Sequence, residues 1–218
     1  MFEIEQVIED YGLYLSNCIS QEDIDELLEL SKSDLLEKGS SRLGKHVVID
    51  DGIGWRDFFQ GYNIVNQAKS SEISSQVFKK IHPVMVKAME VYTDHFGLDI
   101  NEYTMTEPIF WIKTYDVGAN IGNHSDSWES TDGKTLVPAV SIVLYLSSDF
   151  EGGELVFVDK DSTFSVISDM GITIKHDEKD ISIKPSAGHV AIFDSHVVHK
   201  VQEVLSGTRI STDITYMK

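Results

Sequence analysis

Positive charge is scarce in this sequence: 18 Lys and Arg stand against 36 Asp and Glu, a formal net charge of −18 over 218 residues. Such a chain repels nucleic-acid phosphates and anionic membrane surfaces, so neither is expected as a partner. Cysteine is nearly missing. The single Cys18 can form no intramolecular disulfide, multi-thiolate zinc sites are excluded, and Cys18 is expected to be a buried apolar residue. No apolar run approaches membrane-spanning length. The opening MFEIEQVIEDYG lacks the basic start and apolar run of a signal peptide. The expected location is therefore a reducing cytoplasm. Internal repeats, low-complexity tracts and Pro/Gly/Ser-rich linkers are also lacking, which points to one domain over 1–218.

What is present describes a globular protein, 41% hydrophobic and 10% aromatic, with enough apolar residues to form a core. Its pattern changes near residue 100. Ser20 and Asp23 form a capping-box pattern before Ile24, Leu27, Leu28 and Leu35, which predicts a helix over 20–36. Ile73, Val77, Phe78, Ile81, Val84, Met85, Ala88 and Tyr92 recur at helical spacing and predict a second over 71–96, with Gly97 as its stop. Pro83 should kink or restart that helix. The stretch 44–68 between them reads as short strands and a loop.

From residue 106 onward, short apolar or alternating runs are separated by turn residues: 109–115, 139–147, 154–159, 181–185, 189–194, 199–204 and 209–217. The expected fold is mainly β with flanking helices (α+β), a jelly roll or barrel. A helical N-terminal support region over 1–100 would pack on one sheet of a 106–217 catalytic core.

His124-Ser125-Asp126 puts an imidazole and a carboxylate at i and i+2, on one face of an extended strand. A third ligand must come from elsewhere; His199 is the best candidate and His196 competes with it. Two histidines and a carboxylate make the facial set of non-haem Fe(II) oxygenases, leaving three octahedral positions for a bidentate 2-oxo acid and O₂. An anionic cosubstrate inside so acidic a chain needs a buried cation. Arg209, ten residues after His199, can grip a carboxylate through two parallel hydrogen bonds. Ser211, on the same strand face, adds a hydroxyl donor. Tyr115, nine residues before His124, is either a further donor to that anion or a core tyrosine.

These residues sit in a longer series of motifs. Tyr115-Asp-Val-Gly118 followed by His124-Ser-Asp126 resembles the "Y-x-x-G … H-x-D" of prolyl 4-hydroxylases. Val143-Leu-Tyr-Leu-Ser147 with Gly152-Gly153-Glu154 resembles "YLN … GGE", and Pro185 to Phe193 resembles "P-x-x-G-x-x-x-x-F". His199 to Val204 with Gly207-Thr-Arg209 resembles "H-x-V-x-x-V-x-x-G-x-R". The match covers about residues 106–217 in order, and the stretch from Leu13 to Leu30 resembles the usual opening of the family, an apolar strand and then an acidic helix. The chain is thus similar to the prolyl 4-hydroxylase-like 2-oxoglutarate/Fe(II) dioxygenases, whose core is a double-stranded β-helix.

The resemblance implies that His124, Asp126 and His199 bind Fe(II), and that Arg209, with Tyr115 assisting, binds 2-oxoglutarate. It also implies O₂ as the other cosubstrate, ascorbate as a reductant, and hydroxylation of an unactivated C–H, foremost of peptidyl proline. Many members carry Lys at the position of Arg209. Trp128 is either a packing residue or a substrate platform, and Trp55, Arg56 and Tyr62 either line the substrate approach or belong to a structured loop. The partner would be a proline-containing peptide or protein. The alternatives are a hydroxylase of a free amino acid or other small molecule, and a non-catalytic cupin-like metal-binding scaffold. A nucleic-acid dealkylating oxygenase is disfavoured, because Thr215 stands where a second arginine would be expected and the charge is wrong.

Overall fold

The structure is a computed structural model; it describes residues 2–31, 36–38, 60–68, 71–106, 111–126, 128–129, 135–136, 138–158 and 180–218. A hairpin of β1 (Glu3–Ile8) and β2 (Gly12–Ser16) leads into helix α1 (Gln21–Ser31). Then come β3 (Leu36–Lys38), β4 (Gln60–Ala68) and helix α2 (Ser71–Phe96). Strands β5 (Thr104–Met105), β6 (Trp111–His124), β7 (Trp128–Glu129), β8 (Thr135–Leu136) and β9 (Val140–Tyr145) follow. The chain ends with β10 (Phe150–Gly152), β11 (Leu155–Phe157), β12 (Ile181–Ile183), β13 (Val190–Asp194), β14 (His199–Val201), β15 (Val204–Gly207) and β16 (Arg209–Met217).

Most of these strands pair antiparallel in the order β1-β2-β13-β9-β16-β6-β14-β11-β12, with β4 also on β6. The result is a nearly closed jelly-roll barrel, as the alternating runs predict. Strand β6 belongs to both walls. Its residues 111–115 pair with β16, and its far end pairs with β14. Between the two lies Gly118 at φ +88°, in the left-handed region that favours glycine.

The period of two gives each strand two faces. On β9, Val140, Ile142 and Leu144 join the core beneath the helices, with Val190 and Ile192 of β13, Ile214 and Tyr216 of β16, and Leu27, Ile81, Met85 and Met89 of the helices. The opposite faces turn inward, where Tyr14, Tyr145, Leu155, Phe157, Ala191 and Phe193 form a second cluster.

Helix α1 begins as its capping pattern dictates: the Asp23 N–H donates to Ser20 Oγ at 3.1 Å, and Ser20 donates to the Asp23 carboxylate at 2.7 Å. Lys80 of α2 ties the helices together through Asp23 (2.5 Å) and Glu26 (2.7 Å). Cys18 is buried and free, and burial pushes its thiol up to about 12. No described helix is long and apolar enough to cross a membrane.

The structure departs from the sequence expectations in several places. Residues 1–100 are not a purely helical support: β1, β2, β3 and β4 join the main sheet. Strands β2 and β4 pair with β13 and β6, which come from distant sequence, and local periodicity does not report such pairing. Leu36, expected within the first helix, opens β3 instead, and residues 32–35 lie outside the described residues. Pro83 lies inside α2 without ending it. Of the run 109–115, residues 111–115 begin the 14-residue β6, and 109–110 lie outside the described residues. The run 199–204 divides into β14, which pairs with β6 and β11, and β15, which pairs with β10.

Candidate metal centre and cosubstrate pocket

His124 is the last residue of β6, and its register partner across the ladder is His199, the first residue of β14. Directly opposed residues share a sheet face, so two positions far apart in sequence place their rings with centroids 4.2 Å apart. Asp126 lies just past the strand end, where its backbone N–H donates to Ser195 O at 3.0 Å. One ligand atom from each of His124, Asp126 and His199 lies within 4.8 Å of the others. Asp126 Oδ1 is 3.7 Å from His124 Nε2 and 3.8 Å from His199 Nε2.

The outer hydrogen bonds orient both rings. His124 Nδ1 donates to Gly122 O at 2.8 Å, and His199 Nδ1 donates to Val197 O at 2.9 Å. Each ring then presents the lone pair of Nε2 to the centre, as metal-ligating histidines do. Burial, with His199 adding to it, lowers the His124 pKa to about 4, which keeps the imidazole neutral and able to ligate. Burial opposes the Asp126 charge, but the two imidazoles, the Ser141 hydrogen bond and Lys113 together hold its carboxyl below the ordinary value. Two neutral nitrogens and one carboxylate oxygen are the donor set that suits Fe(II). His196 is elsewhere: its side chain is 65% exposed and bonds to Asp194 at 2.9 Å.

Arg209, 2% exposed, is the largest fully buried side chain among the described residues. Its guanidinium carbon lies 4.5 Å from the Tyr115 ring centroid and 5.2 Å from that of Tyr145. Its Nη1 donates to Ser211 Oγ at 3.3 Å, while Nε has no partner. Among the described residues no carboxylate pairs with this cation. A buried guanidinium without a counterion costs several kcal/mol, and an anionic ligand between the two tyrosines would remove that cost. Gly153 makes room for the arginine stem, since a Cβ there would come 3.0 Å from Arg209 Cδ.

The structure thus brings His124, Asp126 and His199 together, and gathers Arg209, Tyr115 and Ser211 into a second group. Trp55 and Arg56 lie outside the described residues. Tyr62 holds a strand position opposite Tyr115 on β4, and Trp128 a position on β7; the side chains of both lie outside the described residues.

Several residues of the site escaped sequence reasoning. Tyr145, opposite Ser211 in register, presents a buried Oη with no acceptor among the described residues. Burial, opposed by Arg209, raises that phenol to about 12, so it stays a donor. Its only sequence signal was its place inside the Val143–Ser147 motif. Lys113 and Asp213 form an ion pair of 2.8 Å on the inner face, with side chains 22% and 31% exposed. They were hidden because charged strand residues ordinarily face solvent. Ser141 and Ser195 sit behind Asp126.

Residues 110–216 match the model of the 2OG-Fe(II) oxygenase superfamily. The chain belongs to that superfamily. It is a 2-oxoglutarate-dependent dioxygenase. No curated protein sequence matches it. Among solved structures, a 2OG-Fe(II) oxygenase family oxidoreductase from Burkholderia pseudomallei aligns with TM-score 0.63 at 16% identity, over 96% of this chain and 86% of that one. A Pseudomonas putida prolyl-4-hydroxylase gives 0.57 at 16% identity, over 95% and 92%. A Trichoplax adhaerens prolyl hydroxylase, solved with a hypoxia inducible factor peptide fragment, gives 0.62 at 14% identity, over 96% and 84%. At these identities the likeness is one of fold, and the oxygenase shares the prolyl hydroxylase architecture along nearly its whole length.

Proposed function

We propose that this oxygenase hydroxylates an unactivated C–H bond of proline in a peptide or protein. In this reading His124, Asp126 and His199 hold Fe(II), and Arg209 binds the distal carboxylate of 2-oxoglutarate. The observation that carries the reading is the pairing of a His-Asp-His cluster with a buried Arg209 that has no carboxylate partner among the described residues, both bordering the inner cluster of Tyr145, Phe157 and Phe193. A scaffold that merely kept a metal has no use for a buried cation that costs stability.

When bound, the iron supplies oxidative decarboxylation of 2-oxoglutarate coupled to hydroxylation. The chain's own residues do the rest. Arg209 grips the distal carboxylate, Ser211, Tyr115 and Tyr145 direct hydroxyls toward it, and Phe157 and Phe193, in ring contact with His199, exclude water from the buried side of the centre. Holding the anion at one end fixes the reacting end of the cosubstrate relative to the three ligands.

The proline reading is supported by the motif resemblance and by the two prolyl hydroxylase neighbours. Polyproline II segments present their rings with little ordering cost, and a chain of net charge −18 steers neutral or basic peptides toward itself in preference to acidic ones. Mass spectrometry of a proline-rich peptide library, after incubation with Fe(II), 2-oxoglutarate and ascorbate, tests it. A gain of one oxygen on proline is expected.

One observation favours a second reading. The Lys113–Asp213 pair on the chamber wall would be covered by a bound substrate, and covering charges is repaid only by opposite charges. A small zwitterion, such as a free amino acid, offers both. Turnover stimulated by free proline or another amino acid, and by no peptide, would replace the peptide reading while leaving the oxygenase intact.

A further inference from the structure

The two carboxylate oxygens of Asp126 have different surroundings. Oδ1 faces His124 and His199. Oδ2 accepts a hydrogen bond from Ser141 Oγ, a hydroxyl on β9 whose residue is 3% exposed. Ser141 Oγ lies 2.7 Å from Ser195 Oγ, itself fully buried. A serine hydroxyl has one proton to give. That of Ser141 goes to Asp126, so the proton between the two serines belongs to Ser195. The order is Ser195 to Ser141 to Asp126. Ser195 also receives the Asp126 backbone N–H at 3.0 Å, and its own N–H donates to Ala139 O at 3.1 Å. Asp126 is therefore held at its main chain and at one carboxylate oxygen, by residues from β9 and from the turn after β13.

We infer that Ser141, backed by Ser195, is a positioning residue that confines Asp126 to ligation through Oδ1 alone. The inference rests on the reading of His124, Asp126 and His199 as the iron site. A carboxylate can bind a metal through one oxygen or two. Ligation through both would occupy a position that the cosubstrate's chelating oxygens and O₂ need. Swinging Oδ2 toward the metal would break its bond to Ser141 and strand a buried hydroxyl. Without Ser141 the two oxygens become equivalent, and the bond that keeps the third position open is lost.

The test uses the full chain, without oxygen, titrated with Fe(II) and then with 2-oxoglutarate, following the visible charge-transfer band of the chelated iron. Ser141→Ala, Ser195→Ala and Ser141→Thr are compared with the unmodified protein, with thermal unfolding recorded for each. Folded Ser141→Ala is expected to bind 2-oxoglutarate roughly tenfold or more weakly in its iron-loaded form. Ser195→Ala should show a smaller loss in the same direction, and Ser141→Thr, which keeps the hydroxyl, should restore the affinity. Should Ser141→Ala fail to fold, the graded pair Ser195→Ala and Ser141→Thr carries the decision. A purely structural role predicts lowered unfolding temperatures with band and affinity unchanged, and that result would overturn the inference. No band in the unmodified protein would instead overturn the iron-site reading beneath it.

Discussion

The two faces of the main sheet are made by the same strands and have opposite chemistry. On β16, Ile214 and Tyr216 join the core beneath the helices, with Ile210 packed against it, while Arg209, Ser211 and Asp213 alternate with them toward the chamber. On β9, Ile142 and Leu144 are buried under the helices, and Ser141 and Tyr145 face inward. The outer face packs apolar side chains, and the inner face sets the groups proposed to react beside a second apolar cluster. A buried cation and an imidazole cluster oppose folding, and they persist because the same residues' neighbours bury apolar surface on the other side. Changes on the inner face should therefore damage chemistry with little loss of fold, and changes on the outer face the reverse.

The sharpest break is at the metal cluster. His124→Ala, Asp126→Ala and His199→Ala should each abolish iron-dependent succinate release, while His196→Ala keeps most of it. Retained activity in His199→Ala with loss in His196→Ala would reverse the assignment of the distal ligand.

Next in size is the cation. Arg209→Ala should weaken 2-oxoglutarate binding by about 2–5 kcal/mol, roughly 30- to several-thousand-fold. Arg209→Lys should be milder, because a point charge survives. Calorimetric titration of the iron-loaded protein measures both, and an unchanged Arg209→Ala affinity would remove Arg209 from the cosubstrate site.

Ile142→Val tests the other face. It should cost about 0.5–1.5 kcal/mol of stability in denaturant melts, with the affinity of the folded protein for 2-oxoglutarate unaltered. Tyr115→Phe and Tyr145→Phe should do the opposite, each weakening 2-oxoglutarate by about 0.5–1.5 kcal/mol with stability nearly constant. If either tyrosine variant loses stability and keeps affinity, that residue belongs to the scaffold.

The smallest effect is a pH dependence at the inner wall. The His189 ring lies tilted against Tyr14, ring centroids 5.1 Å apart, and burial holds its pKa below the ordinary histidine value. A depressed folded pKa means that the unfolded chain binds the proton more readily. The stability that neutral His189 supports is therefore complete above the ordinary value and is lost as pH falls toward the folded one. His189→Gln should flatten the decline in stability as pH falls below the ordinary histidine value of about 6.5. An unaltered slope would assign that decline to other groups.

Much of this was legible in the sequence. The alternation of Arg209, Ser211 and Asp213 with Ile210, Thr212 and Ile214 defines a two-faced strand wherever it is placed. The i, i+2 spacing of His124 and Asp126 needs only local geometry, as does the capping of α1 by Ser20. What followed from the ordered motifs, the oxygenase class above all, required no contact information.

Other features depend on which strands meet. Tyr145 became part of the site only because β9 pairs with β16 and sets it opposite Ser211. His199 takes precedence over His196 because β14 lies against β6 in the register that opposes His199 to His124. A shift of one residue would turn the ring to the other face. The absence of a counterion at Arg209, the inward Lys113–Asp213 pair and the serines behind Asp126 are likewise tertiary facts. Sequence by itself determined which residues could do the chemistry, because backbone periodicity and side-chain type are local properties. Tertiary structure decided which of them meet, because strand register and burial are set by partners far along the chain.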